Sequence, residues 1–198
     1  MKIPKLKSRK DFPILIKQMG YKKICEIGVN RGEFLFVLAS SSPDHLVGVD
    51  VWDRYDKDAY KTMPFYYEVF PHDMNKAWRE SVQQWAGKLS FKTDIIVDFS
   101  VEAAKQFEDG YFDFIYIDAD HTYDGVTADL KAWYPKVRKG GMIAGHDYHN
   151  DYLNDYRKEG RGYEVIRCKD GIDNFVKEYG IGDIMVTQDC LKSFFFIK

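Results

Sequence analysis

Cysteine is scarce: Cys25, Cys168 and Cys190 are the only three in 198 residues. They are odd in number, far apart and without CxxC spacing, which excludes a disulfide framework and a zinc knuckle and fits a reducing, cytoplasmic setting. Long apolar runs are missing too. No stretch approaches the roughly 18 apolar residues of a membrane span, and the amino-terminal MKIPKLKSRKDFPILIK lacks the apolar core of a signal peptide, so no membrane association is expected. Nor is there an excess of basic charge, since 29 Lys plus Arg stand against 31 Asp plus Glu. A duplex-binding protein draws its affinity from many basic side chains facing phosphates, so nucleic acid is not an expected partner. Repeats and low-complexity tracts are absent, and the length suits a single domain over residues 1–198.

What is abundant is aromatic: 14 Phe, 14 Tyr and 4 Trp make 16% of the chain. Short runs rich in Ile, Val and Phe alternate with helical patterns, which predicts an α/β fold with a mostly parallel sheet. Lys23 to Ile27 and Leu46 to Val51 read as strands one and two, part of Ser90 to Val97 as strand three, and Met142 to Gly145 as strand five. Phe112 to Ile117 is almost continuously apolar, as a strand covered on both faces must be, and is placed near the sheet centre. Val126, Leu130, Trp133 and Val137 recur at helical spacing, so they are expected on one face of a helix that Gly140-Gly141 ends. A last helix is expected from Asp170 as N-cap to Gly180. Ile184 to Thr187 and Phe194 to Ile197 are joined by too few residues for a crossover and predict a hairpin.

Four strand ends carry chemistry. Glu26-Ile27-Gly28-Val29-Asn30-Arg31-Gly32 places an acid at the end of strand one and two glycines in the turn that follows, where the backbone can bend tightly and leave room for a ligand. Asn30 stands where a dinucleotide fingerprint would need its second glycine, so that fingerprint is excluded. The alternative is a plain strand-to-helix turn. Asp50, at the end of strand two, is placed to accept hydrogen bonds from ribose hydroxyls, since ligands in open parallel sheets bind outside the carboxyl ends of strands. Strand four ends in Asp118-Ala119-Asp120-His121 and strand five in His146-Asp147-Tyr148. If these strands are neighbours, Asp118 faces His146 and Asp147, a donor set suited to Mg²⁺ or Mn²⁺. The competing reading makes Asp120 and His121 helix caps and His146 a structural histidine.

At these residues the sequence resembles the class I S-adenosylmethionine-dependent methyltransferases, in the branch called methyltransferase family 24. The resemblance runs from about Tyr21 through Tyr148, and its most specific part is DFIYIDADHTYDGVTADLKAWYPKVRKGGMIAGHDY. It implies a Rossmann-like sheet of seven strands, mostly parallel with the last antiparallel, and helices on both faces. It implies S-adenosyl-L-methionine as cofactor, held by the loop containing Glu26, Gly28, Asn30 and Gly32, by Asp50 at the ribose, and by Asp98, Phe99 and Ser100 beside the adenine. Asp118 corresponds to the first metal ligand of metal-dependent relatives and borders the cofactor. His146-Asp147 replaces their Asp-Asp or Asp-Asn pair, which makes Asp118, His146 and Asp147 the expected catalytic and metal-binding residues.

The reaction expected from the resemblance is O-methylation of a small-molecule hydroxyl, sugar or phenolic. Such a displacement needs the acceptor aligned with the methyl carbon and its proton removed, a task for His146 first and His121 second. Two alternatives stay open: a cofactor-binding protein of this fold without turnover, and a hydroxylase-like member of the branch. Residues 52–85 and 149–163 stand outside the alternating pattern. Their aromatics, Trp52, Tyr55, Tyr60, Phe65, Tyr66, Tyr67 and Phe70 in one and Tyr148, Tyr152, Tyr156 and Tyr163 around the other, are expected to wall an acceptor pocket. The basic cluster of Lys2, Lys5, Lys7, Arg9 and Lys10 reads as a solvated terminus, and oligomeric state has no signature in the sequence.

Overall fold

The computed structural model describes residues 3–54, 72–151 and 166–198. A 3₁₀ turn at Arg9–Asp11 leads into α1 (Phe12–Met19), then β1 (Lys23–Ile27), α2 (Glu33–Ala39), β2 (His45–Asp50), α3 (His72–Ala86), β3 (Lys92–Val97), α4 (Ser100–Ala104) and β4 (Phe112–Ile117). These are followed by α5 (Tyr123–Trp133), β5 (Val137–Gly145), β6 (Asn150–Asp151), β7 (Ile166–Arg167), α6 (Cys168–Glu178), β8 (Met185–Val186) and β9 (Phe194–Ile197). Seven strands form one sheet in the order β3-β2-β1-β4-β5-β9-β8. The first five are parallel, β9 runs antiparallel to β5, and β8 and β9 make the expected antiparallel pair.

Period-two alternation divides the strands between two cores. Cys25, Val47, Ile115, Ile143 and Phe194 face Leu130, Trp133, Ile172 and Phe175 of α5 and α6. Ile24, Leu46, Phe114, Met142 and Phe195 face Phe12, Leu15, Phe34 and Leu38 of α1 and α2. Phe12 is fully buried, its ring centroid 5.5 Å from those of Phe114 and Phe195. The amino-terminal segment is thus part of the core, and Arg9 is pulled in with it; the expectation of a solvated terminus holds for Lys5, Lys7 and Lys10 but fails for Arg9.

Two boundaries differ from the sequence reading. Helix α5 ends at Trp133, and Val137 opens β5 rather than extending the helix. Pro135 has no N–H to continue the ladder, so Tyr134, still in helical geometry, makes the final helical bond, to the Leu130 carbonyl. Val137 stays in the same core from its new element. Asp170 is not the N-cap of α6, which starts at Cys168 after Arg167. Its carboxylate lies inside the first turn and accepts from Arg167 and Asn150.

Register fixes where the site sits. Ile27 pairs with Val49 and Ile117, and Ile117 with Gly145. Gly28, Asp50, Asp118 and His146 therefore leave the sheet at one level, across four adjacent strands. Behind this edge, Asp129 of α5 is 4% exposed. Burial pushes its carboxyl up from 3.8 to about 7, against a hydrogen bond from Ser100 that favours the ion, with Asp120 adding repulsion. Between these two pH values the folded chain keeps a proton that the unfolded chain has released, so stability falls as pH rises through the window and is level above it. Asp129→Asn is expected to stabilise the chain by up to about 4 kcal/mol at pH 8 and by almost nothing at pH 4. Urea unfolding midpoints at both pH values check this, and equal gains at both would contradict the protonation argument.

Candidate functional site

The turn after β1 is held against both neighbouring strands: the Gly28 N–H donates to the Val49 carbonyl at 2.8 Å and the Asp118 N–H to the Ile27 carbonyl at 2.7 Å. Gly28 has φ +87°, and a Cβ there would lie 1.9 Å from the Asp118 carbonyl oxygen. The room expected for a ligand at Gly28 is thus filled on that side by the β4–α5 turn, and the glycine is required by the close approach of two backbones. Asn30 also takes positive φ, at 51°. Its N–H donates to Asp50 Oδ2 at 2.7 Å, and its carbonyl accepts from the Trp52 indole at 2.7 Å. The second Asp50 oxygen accepts from the Trp52 N–H at 2.9 Å. Burial raises the Asp50 carboxyl, opposed by these backbone donors. Val51 and Val29 are further backbone hydrogen-bond partners of the same carboxylate. Trp52, expected on an acceptor wall, is instead 2% exposed and braces the loop.

Glu26 is 1% exposed, and its Oε2 has no hydrogen-bond partner. Burial, reinforced by the negative charge of Asp118, raises its carboxyl well above the usual range. It lines a cleft of about 230 Å³ with Arg9, Gly28, Val29, Asn30, Arg31, Glu33, Phe34, Asp118 and His121. An unpartnered buried acceptor is costly, and a cationic group entering the cleft would relieve it.

At the end of β4, Asp118 turns Oδ2 toward Arg9, 3.0 Å away, and Oδ1 toward His121 Nε2 at 3.5 Å and His146 Nδ1 at 3.8 Å. Across the edge, Asp147 Oδ2 is 3.3 Å from His121 Nε2 and 3.1 Å from His146 Nδ1. Asp147 is only 8% exposed, but burial is outweighed by the His146 hydrogen bond and by the charges of His121, His146 and His149, which hold its carboxyl below the usual range. Its φ of +52° is uncommon for a non-glycine residue. Ligand atoms of Asp118, His121 and Asp147 all lie within 4.8 Å of one another. Two carboxylates and one imidazole make a three-ligand set with room for water or an acceptor oxygen, as a divalent ion requires. His121 joins the two acids in this group, and His146, named as a ligand from the sequence, turns Nδ1 toward the same Asp147 and Asp118 oxygens at 3.1 and 3.8 Å. The signal was in the chain: α5 begins only at Tyr123, so residues 118–122 form a loop that curls His121 back over the edge.

Asp98 follows β3 and pairs with Arg54 at 2.5 Å. Phe99 is 40% exposed beside it. The Ser100 hydroxyl accepts from the Trp133 indole at 2.9 Å and is turned toward α5. Gly32 caps α2 with φ +84°. The Tyr148 hydroxyl donates to Asp173 at 2.5 Å, which ties it to α6. The aromatics from Tyr55 to Phe70 and from Tyr152 to Tyr163 lie outside the described residues.

Sheet order, the glycine turn after β1 and the acid after β2 together define the class: a Rossmann-like S-adenosylmethionine-dependent methyltransferase fold. The chain belongs to the methyltransferase domain family, whose model matches residues 25–148. It is similar to the SAH-bound methyltransferase PaMTH1 of Podospora anserina, at 17% identity and TM-score 0.61 over 96% of this chain and 78% of that one. An O-methyltransferase from Bacillus cereus in complex with SAH matches at 17% identity and TM-score 0.58, over 96% of this chain and 80% of that one. A spermidine synthase from Thermotoga maritima shares the fold at 16% identity and TM-score 0.55, over 96% and 60%. Among curated proteins, the uncharacterized protein y4gI of Sinorhizobium fredii is 24% identical over an alignment of 180 residues that covers 85% of this chain and 17% of that protein. The chain thus spans about a sixth of the length of the curated relative it matches. No helix among the described residues is long and apolar enough to cross a membrane.

Proposed function

We propose that the chain transfers a methyl group from S-adenosyl-L-methionine to a hydroxyl of a small molecule, sugar or phenolic, assisted by Mg²⁺ or Mn²⁺. One observation carries the reading: a buried acid with an unpartnered oxygen, Glu26, opens onto the same cleft as Asp118 and His121 of the Asp118–His121–Asp147 cluster. The cofactor carries an ammonium and a sulfonium, and Glu26 supplies the acceptor that the ammonium needs. Asp50 supplies acceptors for a ribose at the adjacent strand end. Asp118, His121 and Asp147 would hold the metal, whose chemistry when bound is to lower the pKa of an acceptor hydroxyl. His146, whose Nδ1 lies 3.1 Å from Asp147, would take the proton that leaves. The SAH-bound relatives and the O-methyltransferase among them support the cofactor and the acceptor class.

A second reading has its own observation. Arg9 already gives Asp118 a cation partner, which favours transfer driven by His146 alone. The test is methyl transfer from radiolabelled cofactor to a panel of catechols, hexoses and amines, with Mg²⁺, with Mn²⁺ and with chelator. Metal-dependent product is the expected outcome. Chelator-resistant product would select the metal-free reading, and product only with amine acceptors would contradict O-methylation.

A further inference from the structure

Arg9 sits in the cofactor cleft although it comes from the amino-terminal turn, far in sequence from the strand ends that build the site. Its position is constructed. Ser8 and Asp11 form a reciprocal capping box around the turn, and Phe12, the next residue but two, is anchored in the core. The guanidinium lies over the Phe34 ring at 5.1 Å. Nη1 donates to Asp118 Oδ2 at 3.0 Å, and Tyr116 is a second hydrogen-bond partner. A guanidinium has five N–H donors in a rigid fork, so these two partners leave donors for a ligand in the cleft that Arg9 lines.

The amino-acid end of S-adenosylmethionine bears an ammonium and a carboxylate on one carbon. A site for it must place an acceptor and a forked donor a few ångströms apart, and the cleft wall offers Glu26, Asp118 and Arg9 together. Glu26 and Asp118 are acids and offer a carboxylate no cationic donor. Arg31, the other cation lining the cleft, is exposed and lies over the Trp78 ring at 4.6 Å. Resting on the cofactor reading above, we infer that Arg9 binds the cofactor's carboxylate and is a specificity residue for a sulfonium that retains it.

The test is calorimetric titration of the full chain with S-adenosylmethionine and with its decarboxylated analogue, which keeps the adenosyl, sulfonium and amine groups and lacks only the carboxylate. Wild type is expected to prefer the intact cofactor by roughly 10- to 100-fold, the span of a charge-assisted hydrogen bond. R9Q should lose that preference: affinity for the intact cofactor falls by about the same factor, while affinity for the analogue holds or rises, because an opposing positive charge has gone. R9K keeps the charge without the fork and should retain part of the preference. R31Q should leave the ratio unchanged. Equal wild-type affinities for the two ligands would overturn the inference even if the variants failed to fold. So would a parallel loss for both ligands in R9Q, which marks Arg9 as merely structural. Binding of neither ligand by wild type would overturn the cofactor reading first.

Discussion

Replacing Asp147 with alanine is expected to lower methyl transfer by roughly 10²- to 10⁴-fold, the range of a lost proton-transfer assembly, while cofactor affinity stays within about threefold. The separation follows from placement. Asp147 stands after β5 and touches His121, His146 and His149, and it does not itself line the cleft proposed for the cofactor, which it meets only through His121. Removing the carboxylate takes away one member of the Asp118–His121–Asp147 cluster and the group that orients His146. It leaves Glu26 and Asp50 as they were. Alanine also has to adopt a φ of +52°, a strain of about 1 kcal/mol that is too small to unfold the chain. Asp147→Asn is the informative companion, since it keeps shape and loses charge. Single-turnover rates and cofactor titration on both variants check the split, and a parallel collapse of cofactor affinity would place Asp147 in the cofactor site.

Gly28→Ala is expected to cost more than about 3 kcal/mol and to abolish cofactor binding. Two penalties coincide there. The backbone sits at φ +87°, and the new methyl would meet Asp118 O at 1.9 Å, Asp118 C at 2.5 Å and Ala119 Cα at 2.9 Å. All three are backbone atoms, pinned by the Asp118 N–H bond to Ile27, so neither side can yield without moving the turn that carries Asp118. Gly20→Ala is the control. Gly20 has φ +69° with nothing within 4 Å of a built Cβ, so its cost should stay near 1 kcal/mol. Urea unfolding of both variants isolates the overlap, and equal costs would show that positive φ alone matters at Gly28.

The strand ends were legible because their chemistry is local: an acid or glycine that closes an apolar run is placed by the run itself. Glu26, Gly28, Asp50, Asp118 and Asp147 all reach one edge for this reason, once register aligns the strands. Pairing across long sequence distance was not legible. Arg9 looked like one of five basic residues in a terminus, and only the burial of Phe12 and Leu15 against β4 and β9 brings it into the cleft. His121 and His146 were both visible, but which completes the cluster with Asp118 and Asp147 depends on how residues 118–122 curl before α5. Val137 was misread because helical spacing runs on past Pro135, a signal that should have outweighed it. Trp52 followed a site strand and was read as wall, whereas its indole is committed to the Asn30 carbonyl.

The proposed transfer depends on the cleft beside Glu26 and Gly28 being the cofactor site. Calorimetric titration of wild type and Glu26→Gln with SAH tests it most directly, because the product carries the ammonium, carboxylate and ribose without a transferable methyl group. Stoichiometric binding by wild type, weakened roughly tenfold or more in the variant, is the predicted result. Affinity unchanged by Glu26→Gln, or no binding by the wild-type chain, would contradict it.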